Sequence, residues 1–168
     1  MLHAITKKLV GNTRVATVSA HCDIPCKIYD PATAQIAVLT MIRLLDLINE
    51  LDAKESLSIK DQAQLIRLVN EKEAHGLKVK EEVRVIWGDY FKQPQFDQVP
   101  HVHELVHQIM LQASKAKQGV SRDDALGLLT LVNEFAEAFW LTKGVATYKA
   151  IAPYLPSEVV VYPKLDAI

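Results

Sequence analysis

Between Asp30 and Gly144 apolar residues return every three or four positions, in four runs separated by short punctuated breaks. That period commits the chain to packed amphipathic helices. Asp30 is a good N-cap and Pro31 suits a first helical position, so a first helix is predicted from about Pro31 to about Leu51, with Ile36, Leu39, Ile42, Leu45, Leu47 and Ile48 on its apolar stripe. Ser58 with Asp61 resembles a capping box and opens a long second helix through Leu65, Leu68, Val69, Leu77, Val83, Ile86 and Tyr90, which Gly76 and Gly88 loosen. Pro94 and Pro100 mark a loop. A third helix follows along His103, Val106, Ile109, Met110 and Ala113 to Gly119. Ser121 with Asp124 caps a fourth, whose stripe of Leu128, Leu131, Val132, Phe135, Phe139 and Trp140 runs out at Gly144.

Four such segments with short connections predict an all-α fold, an up-down-up-down four-helix bundle. The tail from about residue 145 carries Pro153, Pro156 and Pro163, which oppose helix, and a strand signal at Val159 to Tyr162. With Ile151, Tyr154 and Leu155 it is too apolar to be a solvated linker, so it is expected to lie as an extended arm across the bundle or a neighbouring subunit. Residues 21–168 read as one domain. Residues 1–20 carry Lys7, Lys8 and Arg14, no acidic residue and no sustained period, and read as a removable pro-sequence. Asn12 and Arg14 break the apolar run that a secretory signal needs, so a cytoplasmic location is expected.

With 19 basic and 20 acidic residues the formal charge is −1, which lacks the electrostatic footprint of a nucleic-acid binder or a polybasic membrane binder. Neither a nucleic acid nor a membrane is expected as partner; the nearly unbroken apolar stretch Ile36 to Ile42 is far shorter than the ~20 residues that cross a bilayer. Two cysteines cannot staple a disulfide scaffold, and their closeness points to local chemistry.

That chemistry is concentrated in His21-Cys22-Asp23-Ile24-Pro25-Cys26, two thiols and an imidazole just ahead of the helix that Asp30 starts. The positive end of a helix favours the thiolate, which is the metal-binding form. Pro25 restricts Ile24 and curls the segment, bringing Cys22 and Cys26 toward a common point. These three side chains leave a tetrahedral zinc site one ligand short, a deficit that His101, His103 or His107 could make up from afar. A chain starting at His21 would instead add its free amine and the deprotonated amide of Cys22, and planar nitrogen and sulfur donors suit Ni(II) or Cu(II).

The sequence here resembles the nickel superoxide dismutases. The resemblance rests on His21-Cys22-Asp23-x-Pro25-Cys26-x-x-Tyr29-Asp30-Pro31-Ala32, similar to that family's nickel hook, and continues in Trp87-x-Asp89-Tyr90-Phe91-Lys92, His103-x-Leu105-Val106 and Phe139-Trp140-x-Thr142-Lys143. It implies a four-helix-bundle subunit of a homohexamer that disproportionates superoxide to oxygen and hydrogen peroxide by a Ni(II)/Ni(III) couple. It also implies that a processing protease cuts before His21. The His21 amine, the Cys22 amide nitrogen and the Cys22 and Cys26 thiolates would form a square plane, with the His21 imidazole axial in the oxidised state. Tyr29, with Tyr90 behind it, would line a narrow approach, and Asp23 and Pro25 would shape the hook.

Departures from the family pattern carry their own expectations. Lys27 stands where many members have Gly, so the turn of the hook is not expected to use a glycine conformation. An acidic residue and an arginine that orient the axial imidazole in some members are replaced by Ala37 and His75, leaving Glu73 or His75 as candidates. Removal of residues 1–20 leaves a formal charge of −4, so an anionic substrate needs local steering, for which Lys27 and Lys92 are the candidates. With the Ala20 to His21 bond intact the hook is expected to be open or irregular and without a complete nickel site. The alternative to an enzyme is a noncatalytic nickel- or copper-binding helical protein sharing the hook.

Overall fold

The computed structural model describes residues 27–165. In chain order these form α1 (Ala32–Asp52), α2 (Ile59–Val85) prolonged by one π-helical turn (Ile86–Tyr90), α3 (Gln93–Gln98), α4 (Val102–Gln118), α5 (Arg122–Thr142), β1 (Thr147–Ile151) and β2 (Val159–Pro163). The local signals act as the sequence suggests. Asp30 Oδ1 accepts the Ala32 N–H at 2.8 Å. Ser58 Oγ accepts from Asp61 N at 3.2 Å while Asp61 Oδ2 accepts from Ser58 N at 3.0 Å, a complete capping box. Hydrogen bonds from Lys54, then from Ser58, hold the Asp61 carboxyl down at about 2. Ser121 Oγ accepts from Asp124 N at 3.3 Å. Gly144 takes a left-handed φ of 69°, which lets the last carbonyls of α5 bond onward to Gly144 and Val145.

Helix α1 packs against α2 and α5, and α4 packs against the same two, so four long helices enclose one core. Ala34, Val38, Met41, Ile42 and Leu45 of α1 are completely buried there with Val79, Val83, Ile109, Leu128, Phe135 and Phe139. Each large side chain contributes roughly 2 kcal/mol by leaving water. By length and composition alone α1 could cross a membrane. Half of that apolar window is buried inside the protein, which accounts for its composition.

Two features depart from the expectations. The Pro94 loop contains the short helix α3, because Pro94 tolerates a first turn and Gln95 Oε1 accepts the Lys92 N–H at 3.1 Å. The tail is an antiparallel hairpin rather than a single arm, with Thr147 opposite Pro163 and Ile151 opposite Val159. It lies on the chain's own helices: Asn133 of α5 donates to Val159 O at 2.9 Å and accepts from Val161 N at 3.2 Å, and Gln35 of α1 donates to Val161 O at 2.9 Å. Val160 and Val161 are buried beneath it.

Lys72, at the middle of α2, is 1% exposed and is not singled out by the sequence. Its ammonium donates to the carbonyls of Ala116 at 3.2 Å, Gly119 at 2.8 Å and Lys117, and so caps the C-terminal end of α4. Burial pushes its pKa below the ordinary 10.5, an effect that Glu73 opposes and Lys117 reinforces. The fold therefore holds this proton less tightly than the unfolded chain does. Stability from this group rises with pH between the two pKa values. Lys72→Met leaves three carbonyls without their charged donor and is expected to cost about 2 kcal/mol in urea unfolding and to abolish that alkaline rise; an unchanged midpoint and pH profile would contradict the capping role.

Candidate metal centre

His21, Cys22, Asp23, Pro25 and Cys26, together with the expectation of an open hook before cleavage, lie outside the described residues. Their donor chemistry nevertheless fits nickel: two thiols and an imidazole in one short segment supply soft sulfur and strong nitrogen. Among the described residues no cluster of three or more His, Cys, Asp or Glu could hold a metal.

The described chain begins at the exit of that segment. Lys27 has φ 60°, so a lysine does adopt the left-handed conformation that the missing glycine argued against, at a cost of about 1 kcal/mol. Ile28 to Asp30 then border a cleft of about 270 Å³ whose other wall is Glu82, Val85 and Ile86 at the end of α2. The N-terminal end of α1 thus meets the C-terminal end of α2.

Tyr29 and Tyr90 come together as the sequence suggests, with ring centroids 5.8 Å apart. The π-helical turn places Tyr90: Phe91 N–H reaches back to Ile86 O at 3.2 Å, and the extra residue in that turn rotates the helix end. Its ring packs on Phe139 at 4.9 Å and edge-on to Phe91 at 5.4 Å. The Thr142 hydroxyl gives its one hydrogen to Phe139 O at 2.7 Å. It must therefore accept from Tyr90, whose phenol lies 2.8 Å away and is the donor. The ammonium of Lys143 lies 4.4 Å from the Tyr90 ring centroid.

Phe139, Thr142 and Lys143 acquire no role from the sequence alone. Their place in the motif Phe139-Trp140-x-Thr142-Lys143, and a spacing of three and four that puts them on one face at the end of α5, were the available signals. Lys92 is exposed and its ammonium donates to Gly88 O at 2.8 Å, across the π-helical turn. Ala37 is buried in the core, Glu73 is exposed, and His75 Nδ1 donates to Glu71 O at 2.8 Å within its own helix. His103 Nδ1 accepts from Trp87 Nε1 at 3.1 Å and its ring lies 4.5 Å from Phe96, while His101 Nε2 is 3.5 Å from Glu134.

Comparison with known proteins gives this arrangement relatives. The model of a family described as nickel-containing superoxide dismutase matches residues 16–143. The chain is 35% identical over 129 residues to the nickel superoxide dismutase of Streptomyces coelicolor, covering 76% of this chain and 91% of that protein. It is likewise 35% identical over 128 residues to that of Streptomyces seoulensis, covering 75% and 90%. Among solved structures, native nickel superoxide dismutase superposes with a TM-score of 0.65 at 30% identity, covering 73% of this chain and 99% of that one. A structure with nickel ligation of the oxidised state gives 0.64 at 30%, covering 74% and 99%.

A double-mutant cycle of Tyr90→Phe and Thr142→Val, read by denaturant unfolding, is expected to show a coupling of about 1 kcal/mol. Additive effects would mean that the hydroxyl pair contributes nothing.

Proposed function

Because the chain belongs to the family of nickel-containing superoxide dismutases, we propose that it consumes superoxide, two anions and two protons giving oxygen and hydrogen peroxide, with nickel held by His21, Cys22 and Cys26. The observation that carries this reading is the match across residues 16–143, which takes in the donor segment and the Tyr29 and Tyr90 pair together. When bound, nickel supplies a one-electron Ni(II)/Ni(III) couple, and anionic sulfur and nitrogen donors favour its higher state.

This chain's own residues set the conditions for that chemistry. A protease cutting before His21 removes residues 1–20 and turns a peptide nitrogen, which carries a carbonyl and is no amine donor, into a free amine beside the Cys22 amide and the two thiolates. The His21 imidazole completes the donor set, and Asp23 and Pro25 shape the segment. Tyr29 and Tyr90 border the approach. With its O–H committed to Thr142, the Tyr90 oxygen presents lone pairs to water or peroxide. Lys27 and Lys92 raise the encounter rate of an anion at a chain of net negative charge, and Lys143 adds a third cation beside Tyr90. We also read the four long helices as an up-down-up-down bundle. Support comes from α1 starting where α2 and α5 end, and from α2 and α4 running past one another in opposite senses, Trp87 near the end of α2 meeting His103 near the start of α4 while Lys72 at mid-α2 meets the end of α4. The active form is proposed to be a cytoplasmic homohexamer of subunits comprising residues 21–168.

Three proteins test the reading: the full chain, one beginning at His21, and one beginning with a single extra residue. Only the second is expected to retain nickel through gel filtration and to consume superoxide. Equal nickel retention and turnover in all three would remove any role for the amine and overturn the assignment. Lys27→Glu in the active form is expected to lower kcat/KM severalfold at low ionic strength and to flatten its salt dependence; an unchanged rate and salt profile would refute steering by that residue.

A further inference from the structure

The hairpin follows the last residue matched by the family, Lys143, so what it does is a property of this chain. It touches α1, the helix that follows the donor segment in the chain, and α5. On one side Gln35, 4% exposed in the first turns of α1, donates to Val161 O at 2.9 Å and to Asn133 Oδ1 at 3.0 Å, tying that end of α1 to β2. Beside this tie a cleft of about 210 Å³ lies between Asp30, just ahead of α1, Ala32 and Ile36 on α1, and Tyr154, Tyr162 and Pro163 on the tail. Trp140 forms part of the same wall. Its ring lies 5.1 Å from Phe139, which in turn lies 4.9 Å from Tyr90. Farther along α1 from the donor segment a second tie runs through Arg122 of α5, which meets Glu158 of the hairpin at 2.6 Å and Asp46 of α1 at 2.7 Å.

We propose that the C-terminal hairpin is a positioning element for the metal-binding segment: through Gln35 and its wall against Asp30 and Ala32 it fixes the point from which the chain runs to Tyr29 and on to Cys26. Cys26 lies four residues before Asp30. On so short a tether, a shift of the anchor passes directly to the thiolates, and donor atoms displaced by an ångström bind metal poorly. Gln35 is a positioning residue that acts through the backbone of α1. The inference rests on the nickel reading above.

The test uses nickel-loaded protein beginning at His21 and follows release of nickel to excess ethylenediaminetetraacetate, together with the visible thiolate-to-nickel absorption. Gln35→Leu and truncation after Gly144 are each expected to speed release about tenfold or more and to alter the absorption band. Glu158→Gln, which cuts the distant tie, is expected to lower the melting temperature while leaving release and spectrum unchanged. Wild-type release rates and spectrum in Gln35→Leu would overturn the proposal even if the truncated chain failed to fold. Equal acceleration by Glu158→Gln would also overturn it, because the effect would then be general loosening. Processed wild type that holds no nickel would overturn the nickel reading itself and this inference with it.

Discussion

Everything at the site depends on the burial of α1. Its apolar residues face α2 and α5 at once, and Ala34, Val38, Met41, Ile42 and Leu45 have no exposed surface. A helix enclosed this way cannot slide or turn without opening cavities, which cost several kcal/mol each for large aliphatic side chains. Its first turn is therefore a fixed point, and the residues just ahead of it inherit that precision. Tyr29 meets Tyr90 because α1 begins where α2 ends, and Tyr90 meets Phe139, Thr142 and Lys143 because α5 ends there as well.

The same enclosure explains the division of labour along the chain. The donor chemistry is packed into a segment too short to have a core of its own, so rigidity has to be supplied from outside it. The aromatic cluster of Tyr90, Phe91 and Phe139 packs behind Tyr29. The hairpin is joined to α1 by Gln35 and to α5 by Asn133. A redox centre that handles a small anion needs little more from its protein than exclusion of larger molecules, fixed donors and local positive charge.

Much of the fold was legible because its signals are local. The Ser58 and Asp61 box, the Ser121 cap, the Asp30 cap and the left-handed Gly144 each involve residues within a few positions of one another, where spacing and side-chain chemistry decide. The features that were not legible are set by distant partners. Lys72 sits in a helical pattern where a lysine reads as solvated, and only the end of α4 arriving over it makes it a buried cap. Strand β1 has weak sequence signals and pairs with a strand whose Val159 and Val161 are held by Asn133 and Gln35. At the site, the pairing of Tyr29 with Tyr90 followed from motif resemblance, whereas the direction of the Tyr90 hydrogen bond required Thr142 and its bond to Phe139 O. The conformation of Lys27 shows a limit of residue-type reasoning: a preference of about 1 kcal/mol against left-handed lysine does not forbid that conformation at a single position.

The central claim is that one short segment, once its N-terminus is free, supplies both the sulfur and the nitrogen donors of a nickel centre. X-ray absorption at the nickel edge of the processed protein tests it most directly. The account predicts two sulfur scatterers, from Cys22 and Cys26, together with nitrogen scatterers in the first coordination sphere, and a fall in the sulfur count in each of Cys22→Ser and Cys26→Ser. A first sphere of nitrogen and oxygen alone, or an undiminished sulfur count in both variants, would contradict it.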